Sequence, residues 1–493
     1  MNEKNKKKNL WMFPLGTVGR DMMYQMFTNF ILTYILFTRQ LTPAQLMTIT
    51  IIMVAARVFD ALNDPIMGNI IERTRTRWGK YKPWLLVGIL STSIVVYLAF
   101  NVRLQGWGFV VFFGIIYFAY SITYTMHDIS YWGMIPSLGQ ETHTRDQFTS
   151  RATLFAGIGG TLAGFLIPML TTGGMAIGGN AQTAFGRVAL IVCILAPAFL
   201  CFTIFGAKED RSYMKETVPP VSFKKIISTI KNNDQLVWIA VIFLIQQIGN
   251  GLTLGGIGST YVYFAFGYAG GLYSLFSTIG VAATAFLMIF YPMIARHINR
   301  KPLMKIMLII ALIGYALMLI AGIVLPNNMM KFWVITITYM ITNFGQYCYY
   351  LIMMISVINT VEYNEYKTGN RDEAIITSLR PFITKLASAL IILVTTLTYL
   401  AFGVTGFTNQ ISELEQQASL GVLTESEKLA QINGVLSNTT SLQTVGMVVV
   451  MSVIPCIMMI ISYVLYKKKY ILDEDEYTRI VSELNAKKEA KEA

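Results

Sequence analysis

An arginine and two aspartates lie in a stretch of sequence that is otherwise apolar enough for lipid. The stretch is Arg57–Leu86, RVFDALNDPIMGNIIERTRTRWGKYKPWLL, and the apolar run that leads into it starts near Leu46. Arg57, Asp60 and Asp64 follow one another at intervals that would place them on one face of a helix. Insertion scales give about 2.5–3.5 kcal/mol for such a charge at the centre of a spanning helix. A partner charge, a bound ion or a water-filled cavity must offset that cost.

A structural ion pair and a cation site are both consistent with these residues. Arg57 can neutralise Asp60 one turn away, but this pairing leaves Asp64 unexplained. A third intramembrane carboxylate, Asp128, lies in a later apolar run, about one turn after Thr125. Carboxylates that share a site repel one another unless a cation or a proton lies among them. Because these oxygens are hard ligands of the kind that Na⁺ prefers, we predict a site for Na⁺ or H⁺.

An aromatic side chain, Trp132, follows Asp128 by one further turn. A tryptophan in a spanning helix most often packs in the core or lies at the membrane interface. Beside a carboxylate it also suits a sugar, which offers its ring face to the aromatic side chain and its hydroxyls to charged acceptors. Further charges, Arg20, Asp21 and Arg151, lie in the first and fifth apolar runs. This grouping on four helices indicates inward faces around a polar cavity.

Composition indicates a helical membrane protein. The chain has 493 residues, of which 54% are hydrophobic and 13% charged, whereas soluble chains contain about 25% charged residues. Apolar runs of spanning length recur along the whole sequence. The net charge of +12 does not indicate nucleic acid, because Lys and Arg lie almost entirely in alternate connecting loops. The four cysteines lack CxxC and metal-ligand spacing, which favours small core residues.

We predict an all-α polytopic protein with twelve membrane-spanning helices in two six-helix pseudo-repeats. The predicted domains are an N-terminal six-helix bundle, a central cytoplasmic loop, a C-terminal six-helix bundle and a cytoplasmic tail. They cover residues 1–206, 207–234, 235–467 and 468–493. The predicted spans are 11–38, 44–71, 84–100, 107–134, 148–170, 186–205, 235–266, 272–295, 303–325, 332–360, 374–402 and 442–466.

The two halves of the sequence contain one similar connecting segment each. The link from the second to the third span, IIERTRTRWGKYKPWLL, has its counterpart six spans later in MIARHINRKPLMKIML. Each is a basic turn with a proline before the next apolar run, as two parallel transporter repeats would leave. These turns, the central loop and the basic ends fall on one side, which predicts that both termini are cytoplasmic. The polar segment 403–441 is then external, and we expect it to be partly helical and mobile.

Three segments resemble those of the glycoside–pentoside–hexuronide:cation symporters of the major facilitator superfamily. They are RVFDALNDPIMGNIIERTRTRWGKYKPWLL, ITYTMHDISYWGMIP and NTVEYNEYKTGNR, and the resemblance covers essentially the whole chain. It implies alternating access and symport of a sugar with Na⁺, or alternatively H⁺ or Li⁺. The chain departs from the family pattern at Asn359, where a carboxylate is expected, and at Tyr350, where a tryptophan is expected.

The resemblance implies roles for Asp21, Asp60, Asp64, Thr125, Asp128, Trp132, Arg151 and Lys385, with Asp128 serving both the cation and the sugar. The other residues named below are expected at the site from their own positions in the chain. The residues expected at the cation are Asp60, Asn63, Asp64, Thr125 and Asp128. The residues expected at the sugar are Arg20, Asp21, Tyr124, Asp128, Trp132 and Arg151. Glu362 and Glu365, at the cytoplasmic end of the tenth span, are expected to act as gate or solvated charges rather than as ligands. Residues expected in coupling or gating are Arg57, Lys385, Glu362, Glu365 and Arg371.

The sequence therefore predicts a cation-coupled sugar symporter of the cytoplasmic membrane, not an enzyme and without a cofactor beyond the coupling cation. Its expected partners are a small sugar or glycoside, a monovalent cation and the lipid bilayer, without nucleic acid, and it is expected to function as a monomer. A carrier of a non-sugar solute on the same fold stays open, since fold alone does not fix substrate. A membrane-embedded enzyme is disfavoured by the absence of HExxH and GxSxG motifs.

Overall fold

The structure is a computed structural model that describes residues 3–139, 142–209 and 223–492. Part of the predicted central loop, residues 210–222, lies outside the described residues. Helices make up nearly all of the described chain, and its only β feature is an isolated bridge between Thr76 and Gly79. The prediction of an all-α fold is therefore confirmed.

Within its described residues the first half contains eight α-helices, and π-helical turns interrupt or extend two of them. In chain order they are α1 Glu3–Tyr24, a π-helical turn Gln25–Asn29, α2 Ile31–Thr38, α3 Pro43–Arg73, α4 Lys82–Asn101, α5 Gly106–Gly133, α6 Ile135–Leu138, α7 Thr142–Thr171 and α8 Ala181–Cys201, which runs into a π-helical turn Phe202–Gly206.

From Phe223 to Glu492, the part of the second half that the structure describes, there are eleven further α-helices. They are α9 Phe223–Asn232, α10 Asp234–Leu254, α11 Ile257–Phe266, α12 Gly270–His297, α13 Arg300–Val324, α14 Met329–Thr368, α15 Glu373–Ala401, α16 Val404–Ser419, α17 Glu425–Ser437, α18 Ser441–Lys469 and α19 Glu474–Glu492.

Ten helical segments of the described chain are long and apolar enough to cross a membrane. The two remaining predicted spans, the first and the eighth, correspond to α1–α2 and α12. The first is not the continuous helix that the sequence predicted, because the π-helical turn Gln25–Asn29 breaks it shortly after Arg20 and Asp21. The seventh is divided as well, at Gly255 and Gly256, where Gly256 adopts a positive φ of 86°.

The described chain forms two compact units. Unit 1 contains Met1–Pro220, Val262–Thr278 and Tyr399–Thr440, and unit 2 contains Val221–Tyr261, Ile279–Thr398 and Ser441–Ala493. In unit 1, α3 and α4 pack on α5, and α1 packs on α7 and α8. In unit 2, α10 and α13 each pack on α14 and α18.

Small residues bring α1 close to both of its neighbours and so position the charged pair that it carries. A Cβ on Gly159 of α7 would lie 2.2 Å from the Val18 carbonyl oxygen, and one on Gly19 would lie 2.6 Å from Cα of Ala196 on α8. A larger side chain at either glycine would push α1 away, because the nearest neighbours are backbone atoms that cannot rotate aside. Arg20 and Asp21 follow directly in this tightly held part of α1.

The predicted external segment is helical, as expected, and consists of α16 and α17. Its polar composition also suggested mobility, but the Glu415 and Lys428 side chains are fully buried. Charged groups are buried only where they are paired and packed, which argues against a mobile loop.

Candidate functional site

Two hydrogen bonds join α3 to α5 within the membrane region of unit 1. The Ser121 hydroxyl donates to Oδ1 of Asp60, and the Thr125 hydroxyl donates to Oδ1 of Asp64 at 3.1 Å. Because each partner lies one turn further along its own helix, the bonds form two successive rungs between the helices. The structure thus brings Asp64 and Thr125, two of the residues expected at the cation, into direct contact, one turn after Asp60.

Arg57 forms the ion pair with Asp60 that the sequence allowed. Nη1 of Arg57 lies 3.6 Å from Oδ2 of Asp60, and both side chains are only 7% exposed. The guanidinium also lies 6.0 Å from the centre of the Tyr117 ring. Its Nε and Nη2, like Nδ2 of the buried Asn63, have no hydrogen-bond partner within the described chain. Buried donors that lack partners are costly, so this region retains polar capacity for a ligand or water.

Arg20 is the centre of a second group, formed by α1 and α5. Its Nε and Nη2 donate to Oδ2 of Asp21 at 2.9 and 2.7 Å, and its Nη1 lies 3.1 Å from Oδ1 of Asp128. The guanidinium also lies 5.0 Å from each of the Tyr131 and Trp132 ring centres. One cation thus contacts two carboxylates and two aromatic rings, a favourable arrangement for a charge removed from water.

Four of the residues predicted to bind sugar therefore meet at one place: Arg20, Asp21, Asp128 and Trp132. The carboxylate side chains remain accessible, with 22% of Asp21 and 35% of Asp128 exposed, while only 4% of Arg20 is exposed. Accessible carboxylates next to an aromatic ring can accept hydroxyl protons from a sugar.

Tyr124 belongs to an aromatic cluster beside this group. Its ring centre lies 5.5 Å from that of Tyr24, 5.3 Å from that of Tyr120 and 4.6 Å from that of His127. The cluster packs α1 against α5 one turn before Asp128. Tyr124 thus adds apolar surface at the edge of the group that Arg20 organises.

Arg151 is directed away from the group in which the resemblance placed it. Its Nη1 donates to the Leu10 carbonyl at 3.2 Å, and its guanidinium lies 5.2 Å from the Trp11 ring centre. Leu10 precedes Arg20 by ten residues, which corresponds to about 15 Å along a helix. The sequence spacing could not show this, because the direction of a long side chain on α7 depends on its neighbours.

The three predicted cation-binding carboxylates do not form one cluster in this conformation. Asp60 contacts Arg57 and Ser121, Asp64 accepts from Thr125, and Asp128 pairs with Arg20. Over the described ranges, no group of three or more His, Cys, Asp or Glu side chains is arranged to hold a metal ion. The oxygen donors do suit a hard cation, and in this structure Oδ1 of Asp128 pairs with Arg20.

The predicted gating residues of unit 2 form a group at the end of α14. Arg371 donates to Glu362 at 2.8 Å, to Glu365 at 3.1 Å and to Glu373 at 3.0 Å. Hydrogen bonding to Glu373 is the largest of the effects that raise the pKa of Arg371. The turn is possible because Gly369 ends α14 in the left-handed conformation. Lys385, also predicted to act in coupling, is half-buried on α15 of unit 2.

The sequence interpretation missed two residues of the site, Ser121 and Tyr131. Ser121, Thr125 and Asp128 recur at helical spacing on α5, so extending the stripe back by one turn would have found the serine. Tyr131 had no such signal, because a tyrosine in an apolar run is usually core. Only the packing of α1 on α5 shows that its ring covers Arg20.

Comparison with known proteins gives a consistent family assignment. The model of the MFS/sugar transport protein family matches residues 12–474. A lactose permease of Lactobacillus helveticus is 26% identical over 495 residues, which cover 96% of this chain and 71% of the relative. A raffinose carrier protein of Pediococcus pentosaceus is also 26% identical, over 96% of this chain and 70% of the relative.

Solved structures agree at the level of the fold. A bacterial homologue of the human lysosomal transporter Spinster, in an inward-facing and unoccupied conformation, superimposes with a TM-score of 0.66 at 12% identity, covering 97% of this chain and 99% of that chain. The matched family model covers more than nine-tenths of the sequence, including α3, α5 and α14, whose motifs first indicated it. The chain therefore belongs to the MFS/sugar transport protein family and is a sugar symporter of the glycoside–pentoside–hexuronide type.

Proposed function

We propose that the protein carries a di- or trisaccharide into the cell by symport with Na⁺ or H⁺, as a monomeric carrier of the cytoplasmic membrane rather than an enzyme. The proposed size of the sugar comes from the similarity of this chain to a lactose permease and a raffinose carrier protein. Alternating access, in which one half rocks against the other around a midplane site, supplies the transport step.

The observation that carries this proposal is that α5 bears both kinds of contact. Thr125 donates to Asp64 on α3, and less than one turn later Asp128 pairs with Arg20 on α1. A cation bound by Asp60 and Asp64 would attract the Asp128 carboxylate and weaken its bond to Arg20. Arg20 and Asp21 would then be available to sugar hydroxyls, so ion binding would favour sugar binding. Such coupling is reciprocal and is typically worth about 1–3 kcal/mol.

The proposed orientation has both termini in the cytoplasm. Nδ2 of Asn9, which follows the basic N-terminus, donates to the Lys208 carbonyl at 2.8 Å. Nζ of Lys82, in the basic turn between α3 and α4, donates to the Ala207 carbonyl at 2.7 Å. These contacts support one common basic end of unit 1, and basic segments are retained on the cytoplasmic side.

The cation half of the proposal is tested with Asp64→Asn in purified, reconstituted protein. The variant keeps the shape of the side chain but removes an anionic oxygen, so we expect sugar binding to lose its dependence on Na⁺ or H⁺ and uphill accumulation to cease. Asp146 is an exposed aspartate on α7, so Asp146→Asn is the charge-matched control. This variant should keep both the ion dependence of sugar binding and uphill accumulation. Unaltered ion dependence in folded Asp64→Asn would contradict the assignment.

The sugar half is tested by comparing Asp21→Ala with Asp128→Asn by calorimetry, titrating each ligand with and without the other. Asp21→Ala should weaken sugar binding and leave ion binding measurable, because the Asp21 carboxylate accepts hydrogen bonds from Arg20 on its own helix, away from Asp60 and Asp64 on α3. Asp128→Asn should weaken the binding of both the sugar and the cation. If it lost sugar alone and kept wild-type ion affinity, the coupling role of Asp128 would be wrong.

A further inference from the structure

A buried ion pair anchors the segment formed by α16 and α17. Nζ of Lys428 on α17 lies 3.3 Å from Oε1 of Glu415 on α16, and neither side chain has any exposed surface. Burial raises the pKa of the Glu415 carboxyl, an effect that the nearby Lys428 ammonium opposes. Two charges are removed from water only where their surroundings satisfy them, so this contact is a specific anchor and not a solvated surface pair.

The pair is attached to the backbone between α7 and α8. The Ala181 N–H, at the start of α8, donates to Oε2 of Glu415 at 2.6 Å, and Nζ of Lys428 donates to the Gly179 carbonyl at 2.7 Å. Each charged group therefore bonds one backbone group of the same short loop. These four groups together, Gly179, Ala181, Glu415 and Lys428, are called the latch below.

A second contact holds α16 to another connection of unit 1. Asn409 accepts from the Leu41 N–H and donates to the Leu41 carbonyl, both at 2.9 Å, in the turn that precedes α3. Near it, a cavity of about 600 Å³ is bordered by α16 and by this turn, and its lining includes Gln40 and Gln416. The segment is thus bound to unit 1 at two separate turns.

The chain on both sides of the segment belongs to the other unit. Tyr399–Thr440 is part of unit 1, whereas the residues before and after it, Ile279–Thr398 and Ser441–Ala493, belong to unit 2. The segment leaves α15 and returns to α18 through short connections, Phe402–Gly403 and Asn438–Thr440. A rocking cycle moves one half of a transporter against the other. A segment bound to one unit and continuous with the other at both ends therefore resists that movement.

We propose that Glu415 and Lys428 are gating residues: the latch holds the segment formed by α16 and α17 on unit 1, and it must release from Gly179 and Ala181 in every transport cycle. This inference rests on the proposed transport cycle. The segment formed by α16 and α17 then acts in the conformational step of transport and not in ligand binding.

The test is a reversible crosslink between Gly179→Cys and Glu425→Cys in reconstituted protein. A Cβ built on Gly179 would lie 3.9 Å from Cβ of Glu425, within the range for a disulfide. Gly179 has a positive φ of 77°, so a cysteine there is strained, and the reduced double variant serves as the reference. Sugar uptake by the reduced variant shows that the transport function itself is intact, and both single-cysteine variants control for the oxidant.

We expect oxidation to stop sugar uptake, reduction to restore it, and the oxidised protein to bind sugar still in detergent. Uptake at the reduced rate after complete crosslinking would overturn the proposal, because the latch would then not need to release. Loss of sugar binding on oxidation would also overturn it, since the segment would then shape the binding site.

A second pair avoids the strained glycine if the first variant does not fold. Gln40→Cys and Gln416→Cys line the same cavity and can be joined by a short bismaleimide, with each single variant as control. The same block of uptake with retained sugar binding is expected. Uptake that is unaffected by either crosslink would contradict the proposal independently of the strain at Gly179.

Discussion

The two basic turns that mark the internal repeat are stabilised in different ways. In the first, between α3 and α4, Nζ of Lys80 lies 2.5 Å from Oε2 of Glu72, eight residues earlier on the preceding helix. In the second, between α12 and α13, Nε of Arg300 lies 2.8 Å from Oε1 of Glu474, and Nζ of Lys301 lies 2.8 Å from Oδ2 of Asp473. The acids of the second turn come from the start of α19, more than 170 residues away.

The difference shows that the repeat retains basic charge but not the partner of that charge. Positive residues at both turns satisfy the same topological requirement, and any nearby carboxylate can neutralise them. In unit 2 the C-terminal tail supplies that carboxylate, and the Glu474 side chain also accepts from the backbone N–H of Arg300 at 2.7 Å. The tail is therefore part of the packed structure of unit 2, not a detached extension.

The largest effect is expected from Glu474→Gln. Arg300 is only 8% exposed, so the variant leaves a nearly buried guanidinium without its anion. Glutamine can still accept a hydrogen bond but carries no charge, so the guanidinium loses its charge compensation, and we expect a destabilisation of about 1.5–3 kcal/mol. Thermal unfolding in detergent measures it, and Glu483→Gln, which removes an exposed partner of Arg479, is the control. Equal unfolding temperatures for the two variants would remove the contrast between the turns.

Low pH should abolish the stabilisation that the carboxylates of Asp473 and Glu474 give to the second turn. Hydrogen bonding to Lys301 is the main cause of the lowered pKa of Asp473. Burial is the largest single effect on Glu474 and raises its pKa, but the hydrogen bonds and the charge of Arg300 together outweigh it and lower the pKa. A carboxyl whose pKa is depressed by folding stabilises the protein above its unfolded pKa, about 3.9–4.3, and loses this effect as the pH falls through the folded value. Wild type and Glu474→Gln should therefore converge in stability below about pH 4. A constant difference between pH 7 and pH 3 would contradict this.

A smaller effect is expected at the first turn, from Glu72→Gln. Glu72 is 41% exposed, so water can replace it, and Lys80 also lies 4.9 Å from the Tyr81 ring centre. We expect a loss of about 1 kcal/mol or less, in the range of partly exposed ion pairs. The same unfolding assay measures it. A loss as large as that of Glu474→Gln would show that local and remote partners are equivalent.

The smallest effect is expected from Asp473→Asn. Both partners of this pair are more than a third exposed, at 35% for Asp473 and 38% for Lys301. Exposed pairs contribute about 0.2–1 kcal/mol, and asparagine can still accept from the Glu476 N–H. High salt should reduce the effect further, which distinguishes it from that of Glu474→Gln. An effect that is independent of salt would show that Asp473 acts through packing instead.

The candidate site shows which contacts can be predicted from residue spacing along one helix and which cannot. Asp60 and Asp64 share a face of α3, and Thr125 and Asp128 share a face of α5, because helical geometry fixes these relations locally. Which of these residues contact one another across helices could be predicted only in part from the sequence. Asp64 meets Thr125, but Asp128 pairs with Arg20, and Arg151 turns toward Leu10.

The sequence by itself determined the class of this protein: a basic, apolar, helical chain with a repeated basic turn and carboxylates confined to a few spans. These properties depend on composition and on the 3.6-residue period, both of which can be read locally. Tertiary structure alone decided that Arg20 lies between Asp21 and Asp128, that α19 supplies the acids for Arg300, and that Glu415 is buried with Lys428. Arg300 and Glu474 lie 174 residues apart in the chain, and Glu415 meets the Ala181 N–H across 234 residues. Arg20 reaches Asp128 only through the packing of α1 on α5. Such contacts depend on which helix faces meet, a choice made by the packing of the whole fold.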